Sequence, residues 1–337
     1  MKTSGKSNRK PKKRRLTRLG LPDAIWLVQT ICRLAASPDL IGSSPETQSI
    51  LERSDNAALF DWLMAQLSFQ GISDRVAAGY LRDHGSIAWS DVVRGLQHSK
   101  LCPKLESYWA LTGCGYQKSR KSCSRPDFYA SCSLPRHPLR NGRLNITGYS
   151  LALFIRDVAN GDLIGWIDGR LNISIRGSNR PVEAANGVVE ALSGVFGVGP
   201  KVASMALASF LLNAGSAKPS WRAAGQRMIP VDVLLHNFLH RTGLTALLGT
   251  PHLYGLHCYA EDGCSDVIER VSAWINAREF NAQNPPYFPR LVAHALWKYC
   301  ALDFLDVCNG VQIDDRKRCS NRYCAVFPSC ARRRRPQ

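Results

Sequence analysis

The chain has 337 residues and a net charge of +18, with 44 Lys and Arg against 26 Asp and Glu. A chain of this length can bury a sizeable core, so we expect one compact unit with two lobes, or two small domains. It has no apolar run of about 18 residues and no apolar signal-peptide segment behind its basic start, which predicts an intracellular protein without membrane spans.

Positive charge is concentrated at the two ends of the chain. Residues 1 to 18 contain nine Lys or Arg and no acid, and Arg332 to Arg335 add four more, which leaves about +5 for the body. Such ends are typical of solvated arms that raise affinity for polyanions without reading sequence, although a solubility or localisation role is the alternative. We therefore assign 1–20 to a disordered basic tail and 332–337 to a second basic tail.

The segment 21–100 is predicted to be helical because its apolar residues recur at helical spacing. The predicted helices cover Leu21 to Ser37, Asp55 to Gly71, Arg75 to His84 and Ser90 to Leu96. Cys32 lies on the first helix with no cysteine nearby, so we expect it to be a small buried hydrophobe.

Composition changes in the segment 101–145, which has poor helical periodicity, many Lys and Arg, and interleaved aromatic residues. It also carries Cys102, Cys114, Cys123 and Cys132. A segment this long without regular structure needs something to hold it together, and four thiols could do so by binding zinc or an iron–sulfur cluster. Two alternatives remain open: a loop with its own small aromatic core, and a surface that offers cations and rings to nucleic acid.

Two helices are predicted to meet at a glycine-flanked turn in the segment 188–212, VVEALSGVFGVGPKVASMALASFLL. The turn is Gly197-Val198-Gly199-Pro200-Lys201. Glycine at 197 and 199 can take positive φ and lets another chain come close, while Pro200 suits the first turn of a new helix. The turn would therefore present backbone N–H groups at a helix N-terminus, where a DNA phosphate can bind.

The next predicted helix begins after Asp232, behind a predicted loop from Asn213 to Gln226. Asp232 directly precedes an apolar helical run, which is an N-cap position. His236 and His240 are four residues apart and share one face of this helix. Because the glutamate of an HExxH motif is absent, packing or phosphate contact is expected for them rather than metal ligation.

The end of the chain is rich in cysteine. Cys258 and Cys264 lie in a predicted loop and receive no assignment, and the last clear helix is predicted from Tyr287 to Cys300. Cys308, Cys319, Cys324 and Cys330 then follow in the segment 306–331. In an intracellular chain such a set indicates zinc or iron–sulfur ligation rather than disulfides, with unligated structural thiols as the alternative and Cys300 as a candidate substitute ligand.

Taken together, GVGPKVA and the later VDVLLHNFLHRTG resemble the helix-hairpin-helix DNA glycosylases of the endonuclease III superfamily. The resemblance implies a mostly α-helical glycosylase fold with two helical lobes, whose core (21–100 and 146–305) is interrupted by the cysteine-rich insertion and closed by the C-terminal cysteine loop. It also implies that Lys201 is the nucleophile and Asp232 its partner. Gly197, Val198, Gly199 and Arg241 would contact DNA.

Two more features are interpreted through the same resemblance. The segment from Ser68 to Asp74 is similar to the family's S-x-Q-x-x-x-D, which implies that Gln70 fills the gap left by an extruded nucleotide, although a surface glutamine is the alternative. Many relatives end in C-x6-C-x2-C-x5-C, which binds a 4Fe-4S cluster. Here the last interval matches and the first two are longer, so a 4Fe-4S cluster is expected, with zinc as the alternative.

The resemblance therefore implies a monomeric base-excision-repair enzyme that acts on double-stranded DNA. It would remove a damaged base as a glycosylase and then cut the strand as an AP lyase, through a Schiff base on Lys201. The alternative from a different class is a DNA-binding protein on the same scaffold that performs no chemistry. The residues that would select the damaged base are scattered over several helices, so the sequence does not identify the lesion.

Overall fold

The structure is a computed structural model. It describes residues 19–37, 40–41, 44–67, 74–98, 102–112, 114–117, 122–123, 132, 134, 142–172, 180–214, 218–308 and 317–332. Within these ranges the chain is mostly α-helical, as the sequence predicts, and the β-type pairing is a single antiparallel bridge between Gln117 and Ser122. None of the helices in these ranges combines the length and apolar character that crossing a bilayer requires.

The helices follow one another with short connections. In chain order they are α1 (Leu21–Ala35), α2 (Pro45–Glu52), α3 (Asn56–Leu67), α4 (Asp74–His84), α5 (Trp89–His98), α6 (Tyr108–Leu111), α7 (Gly142–Asp157), α8 (Leu163–Asn172), α9 (Arg180–Ser193), α10 (Pro200–Leu212), α11 (Pro219–Gly225), α12 (Val233–Thr242), α13 (Leu244–Leu248), α14 (Cys264–Ser272) and α15 (Pro289–Cys300).

The apolar side chains gather into two main cores, which define two lobes. The first core takes residues from 50 to 228 and is built on α3, α7, α8, α9, α10 and α11, with Phe60, Phe154 and Phe210 fully buried. The second core combines α1 with α12, α14 and α15, so the first helix packs beside the last one. In this division α1 belongs to the second lobe, with the helices from the end of the chain.

The backbone crosses from the first core to the second between Met228 and Ile229. Arg290, at the start of α15, stabilises this connection with two hydrogen bonds. Its backbone N–H donates to the Gln226 carbonyl at 2.9 Å, and its Nη1 donates to the Met228 carbonyl at 3.1 Å. Burial lowers the pKa of Arg290 to about 10, so the guanidinium remains charged at neutral pH. The backbone N–H and the buried guanidinium of Arg290 therefore each supply a donor to one carbonyl group.

The prediction of a loop over 213–226 is wrong in part, because α11 occupies the second half of this segment. Its alanines and glycine serve close packing: a Cβ at Gly225 would lie 3.1 Å from Leu211 Cβ and from Leu212 Cγ. Trp221 lies at the centre of this helix, fully buried, and its Nε1 donates to Asp168 Oδ1 at 2.8 Å. The small residues of this segment serve a helix–helix contact, but in the sequence they resemble the composition of a loop.

The helix α2 was also not predicted. It is short, and its start is set by Ser44, whose hydroxyl accepts a hydrogen bond from the Thr47 N–H at 3.4 Å, and by Pro45 in the first turn. Ser followed by Pro is a recognised helix start, but only two side chains of this helix, Thr47 and Ile50, are buried. So weak an apolar pattern gives little periodic signal.

Replacing Trp221 with alanine should lower the free energy of unfolding by about 3–5 kcal/mol, because it removes a fully buried ring and leaves Asp168 without its indole donor. Urea unfolding followed by circular dichroism measures this change. Trp109→Ala is the matched control, because Trp109 is 62% exposed. Equal losses for the two variants would contradict the assigned core.

Candidate catalytic and metal sites

The hairpin between α9 and α10 lies where the sequence predicts it. Gly197 takes the left-handed conformation, with φ of 77°, as expected of a glycine needed for the turn. The same expectation is wrong for Gly199, which has φ of −92° and ψ of 173° and is the N-cap of α10. A Cβ at Gly199 would meet no atom within 4 Å, so this position faces open space.

The hairpin is fixed to α7 through the residue that precedes Gly197. The Phe196 N–H donates to Ser150 Oγ at 2.9 Å, and Thr147 Oγ1 donates to the Phe196 carbonyl at 2.8 Å. The turn and α7 together with α6 line an open groove of about 450 Å³, whose hairpin wall is formed by residues 193–199. The groove therefore has a rigid wall made largely of backbone.

Lys201 is in the first turn of α10, directly after Pro200, and its side chain is partly buried. No side chain caps this helix, since its N-cap is Gly199. The first N–H groups of α10 can therefore serve an anion, and the helix dipole favours negative charge at the same end. An amine and a ready anion site thus lie within one helical turn of each other.

Asp232 is the N-cap of α12, as the sequence predicts. Its Oδ1 accepts from the Leu235 N–H at 2.8 Å, and its Oδ2 accepts from Trp297 Nε1 at 3.0 Å. The second bond ties the start of α12 to α15. Asp232 is nevertheless only partly buried, so the carboxylate retains access to solvent.

Lys201 and Asp232 thus belong to different lobes, Lys201 to a helix of the first core and Asp232 to a helix of the second. Each occupies the N-terminal end of its helix, and each is partly exposed. A site formed by both would lie at the boundary between the lobes. Gln70, the residue expected to enter the DNA, lies outside the described residues.

Arg241, expected to contact DNA, is directed into the protein. It is only 2% exposed, and its Nη1 donates to Cys308 Sγ at 3.2 Å. Because it is buried, this guanidinium cannot contact a phosphate at the protein surface. Arg241 therefore supports the C-terminal cysteine loop, and the sequence pattern at the end of α12 could not distinguish this role from a DNA contact.

The four C-terminal cysteines surround one small cavity at the end of α12 and α15. Cys308, Cys319, Cys324 and Cys330 all line it, together with Phe238, Tyr299 and Val326. Tyr299 Oη lies 3.2 Å from Cys324 Sγ. Burial, followed by the nearby charges of the other three thiols, raises the pKa of Cys330 to about 12. The set that the sequence grouped is thus brought together in space.

The cysteines of the segment 101–145 also converge. Burial, and to a lesser degree the charges of Cys102, Cys114 and Cys123, raise the pKa of Cys132 to about 11. The bridge between Gln117 and Ser122 brings the chain back so that Cys123 returns toward Cys114. Cys102 and Cys114 pack against the first core, and Cys132 is part of it.

A third set was not predicted: His236, His252, Cys258 and Cys264, whose ligand atoms all lie within 4.8 Å of one another. Among the described residues it is the one group of His, Cys, Asp or Glu tight enough to hold a metal ion. A hydrogen bond from the Cys264 thiol holds the pKa of Cys258 well below its usual range. The chain therefore contains a His/Cys cluster that could hold a metal.

The sequence contains all four residues of this set, but no local pattern groups them. In the sequence, Cys258 and Cys264 share one predicted loop, and helical spacing relates His236 to His240. In the structure the buried rings of His236 and His240 pack together, with centroids 4.2 Å apart, and His236 also groups with His252, which lies in the connection after α13. No periodicity links a helical histidine to a loop histidine, so only the folded chain shows the set.

Comparison of the chain with protein-family models, with curated proteins and with solved structures gave no match.

Substitution of Asp232 should lower the free energy of unfolding in a graded way. Asp232→Ala removes the cap and leaves Trp297 Nε1 without an acceptor, at a cost of about 1–2 kcal/mol. Asp232→Asn has one carbonyl oxygen, so it can keep one of the two bonds and should cost less. Thermal unfolding of both variants measures the order, and an alanine variant as stable as the wild type would contradict the capping role.

Proposed function

We propose that this protein is a DNA glycosylase with AP-lyase activity, which removes a damaged base from double-stranded DNA. The observation that carries the proposal is the pairing of two local structures: a glycine hairpin whose uncapped helix begins with Lys201, and a separate helix capped by the carboxylate of Asp232. This is the combination on which the resemblance to the helix-hairpin-helix glycosylases rests. The net charge of +18 also suits a polyanionic substrate.

Binding begins with phosphates. The N–H groups at the start of α10 receive a phosphate of the DNA backbone, and the basic ends of the chain add affinity that falls as salt rises. The enzyme must reach the sugar C1′ of a stacked nucleotide, so that nucleotide is rotated out of the duplex. This rotation costs a few kcal/mol and costs least for a damaged or mismatched base.

Chemistry then needs an amine and a carboxylate on the everted sugar, at the boundary between the lobes. The neutral amine of Lys201 attacks C1′ while the bond from C1′ to the base breaks, and the base leaves with that electron pair and takes up a proton. The carboxylate of Asp232 stabilises the positive charge that develops on the sugar and accepts the proton that the amine loses. The sugar ring then opens to give a Schiff base, and loss of a C2′ proton expels the 3′ phosphate.

Asp232 is well held for this task. Its two oxygens accept one bond each, from α12 and from α15, so the carboxylate has a fixed direction and keeps lone pairs for substrate. Trp297 is a positioning residue for it. The hairpin is fixed in the same manner through Ser150 and Thr147, so both groups are carried on rigid supports.

The C-terminal cysteines fit a 4Fe-4S cluster as the accompanying cofactor. Four thiols line one cavity with apolar walls, and Arg241 donates to the Cys308 sulfur, which suits a thiolate bound to iron. These thiols do not form a set as tight as the His/Cys group, and a cluster needs wider spacing than a single ion does. When bound, the cluster would hold the loop 306–331 against α12 rather than take part in base removal.

Trapping with borohydride on a duplex that contains an abasic site tests the role of Lys201 without knowledge of the lesion. The full-length protein should become covalently attached to this DNA. Lys201→Arg should reduce trapping by at least about a hundredfold, because a guanidinium cannot form the Schiff base, while salt-sensitive DNA binding measured by fluorescence anisotropy stays near the wild-type value. Asp232→Asn should slow trapping by about 10²–10⁴-fold.

Lys104→Arg is the matched control, because it makes the same charge-preserving substitution outside α10 and α12 and should leave trapping unchanged. Trapping of Lys201→Arg at the wild-type level would contradict the nucleophile. A wild-type protein that binds DNA but is never trapped, and that releases no base from a panel of lesion-bearing duplexes, would identify a DNA-binding protein without chemistry.

Elemental analysis and visible absorption test the cluster. The protein purified without air should contain about four iron atoms per chain and be brown. Cys324→Ser should lose most of the iron and the colour, while Cys32→Ser should keep both, since Cys32 is buried on α1 outside every cysteine set. Zinc in place of iron at full occupancy, lost in the Cys324 variant, would contradict the cluster and identify a zinc loop.

A further inference from the structure

We propose that His236, His252, Cys258 and Cys264 bind one zinc ion, and that this ion fastens the connection 249–263 to α12. The proposal concerns the His/Cys group described above, which is separate from both four-cysteine sets and from the hairpin. It does not depend on the glycosylase proposal. It rests on the spacing of the ligand atoms, on their burial and on the orientation of each imidazole.

Three of the six distances between ligand atoms have the length expected for the edges of a tetrahedron around a small ion. His236 Nδ1 lies 3.4 Å from both Cys258 Sγ and Cys264 Sγ, and His252 Nε2 lies 3.3 Å from Cys264 Sγ. With Zn–N near 2.0 Å and Zn–S near 2.3 Å, tetrahedral geometry places nitrogen and sulfur about 3.5 Å apart. The observed edges are within about 0.2 Å of this value.

Hydrogen bonding alone does not account for the arrangement. An imidazole nitrogen has either one lone pair or one proton, so it makes one good hydrogen bond in its ring plane. His236 Nδ1 nevertheless lies at the same distance from two sulfurs. Two equal nitrogen–sulfur distances are expected when the nitrogen and both sulfurs bind the same metal ion.

The orientation of His252 supports the same conclusion. Its Nδ1 lies 2.7 Å from the Thr250 carbonyl, which must receive a proton from it. The proton is therefore on Nδ1, and Nε2 turns its lone pair toward Cys264. Zinc-bound histidines are held in this way, with the nitrogen that does not bind metal donating to a carbonyl or carboxylate.

Three of the four ligands are also buried. Cys258 and Cys264 are fully buried and His236 is 3% exposed, so the two thiolates that zinc requires would be costly to bury without a cation. Two thiolates with a divalent ion are neutral overall. Four protein ligands complete a tetrahedral shell and leave no position for water, which indicates a structural ion rather than a catalytic one.

The ion would act on the start of α12. His236 is one turn after Asp232, and the same connection sends Tyr259 to the segment before Asp232, where its hydroxyl accepts from the Val231 N–H at 2.8 Å. Three of the four ligands come from the connection and α14, and the fourth from α12. Zinc would therefore link the two and restrict how Asp232 is presented.

Zinc content per chain tests the proposal in the full-length protein, purified without added metal. His252→Ala and Cys258→Ser should each contain one zinc equivalent less than the wild type. His252 is only partly buried and lies in a connection, so its alanine variant should stay folded, which circular dichroism checks. His257→Ala, an exposed histidine of the same connection, and Cys32→Ser are the matched controls and should keep all the zinc.

Cobalt substitution and thiol labelling supply independent readouts. Co²⁺ loaded into the zinc-stripped protein should give visible bands of a tetrahedral site with thiolate ligands, and His252→Ala should lose them. Cys258 and Cys264 should resist alkylation until zinc is removed by a chelator. Equal zinc in the wild type and in both ligand variants, or a disulfide between Cys258 and Cys264 found by mass spectrometry, would overturn the site.

These measurements use no DNA, so they fail or succeed separately from the trapping assay. A protein that holds zinc through these residues but is never trapped on abasic DNA would keep the zinc site and lose the glycosylase proposal. A trapped protein with no zinc difference between the wild type and His252→Ala would do the reverse.

Discussion

The contact between Asp232 and Trp297 is the interaction on which the arrangement of the second lobe depends. It joins the N-cap of α12 to α15, while the other carboxylate oxygen of Asp232 accepts the Leu235 N–H and so caps α12. With its start fixed, α12 carries three groups along its length: Asp232 at the N-terminal end, His236 one turn later, and Arg241 near the C-terminal end against Cys308. One helix of ten residues therefore supports the proposed catalytic carboxylate, the His/Cys group and the C-terminal cysteine loop.

This arrangement separates two kinds of support. The first lobe fixes its hairpin through hydroxyl groups of α7, which bond to backbone, and Gly199 faces open space. The second lobe fixes its carboxylate through an indole and a backbone N–H. Neutral donors, an indole N–H and a backbone N–H, thus hold the Asp232 carboxylate. A site that must change charge during a reaction benefits from supports of this kind.

Local signals in the sequence were sufficient for the features that depend on a few adjacent residues. The turn at Gly197, the N-cap at Asp232 and the mostly helical content follow from backbone preference, capping chemistry and apolar spacing, and the structure confirms them. The close grouping of the C-terminal thiols also followed from their proximity along the chain.

Features set by contacts between distant parts of the chain were not predictable in the same way. Small residues around Gly225 suggested a loop because nothing local shows that Leu211 and Leu212 press against them. A basic residue at the end of α12 suggested a phosphate contact, since only the folded chain places Cys308 beside Arg241. The His/Cys group brings a helix together with a later connection, and its four members have no common periodicity.

The packing of α1 against α15 places the two ends of the described chain side by side. Ser329 Oγ donates to Asp23 Oδ1 at 3.3 Å, and the Ala331 N–H donates to the Thr242 carbonyl at 3.1 Å. The described residues from which the two basic ends of the sequence continue therefore lie in one lobe, close to each other. For the DNA binding proposed above, two attachment points on one lobe would make non-specific capture bivalent.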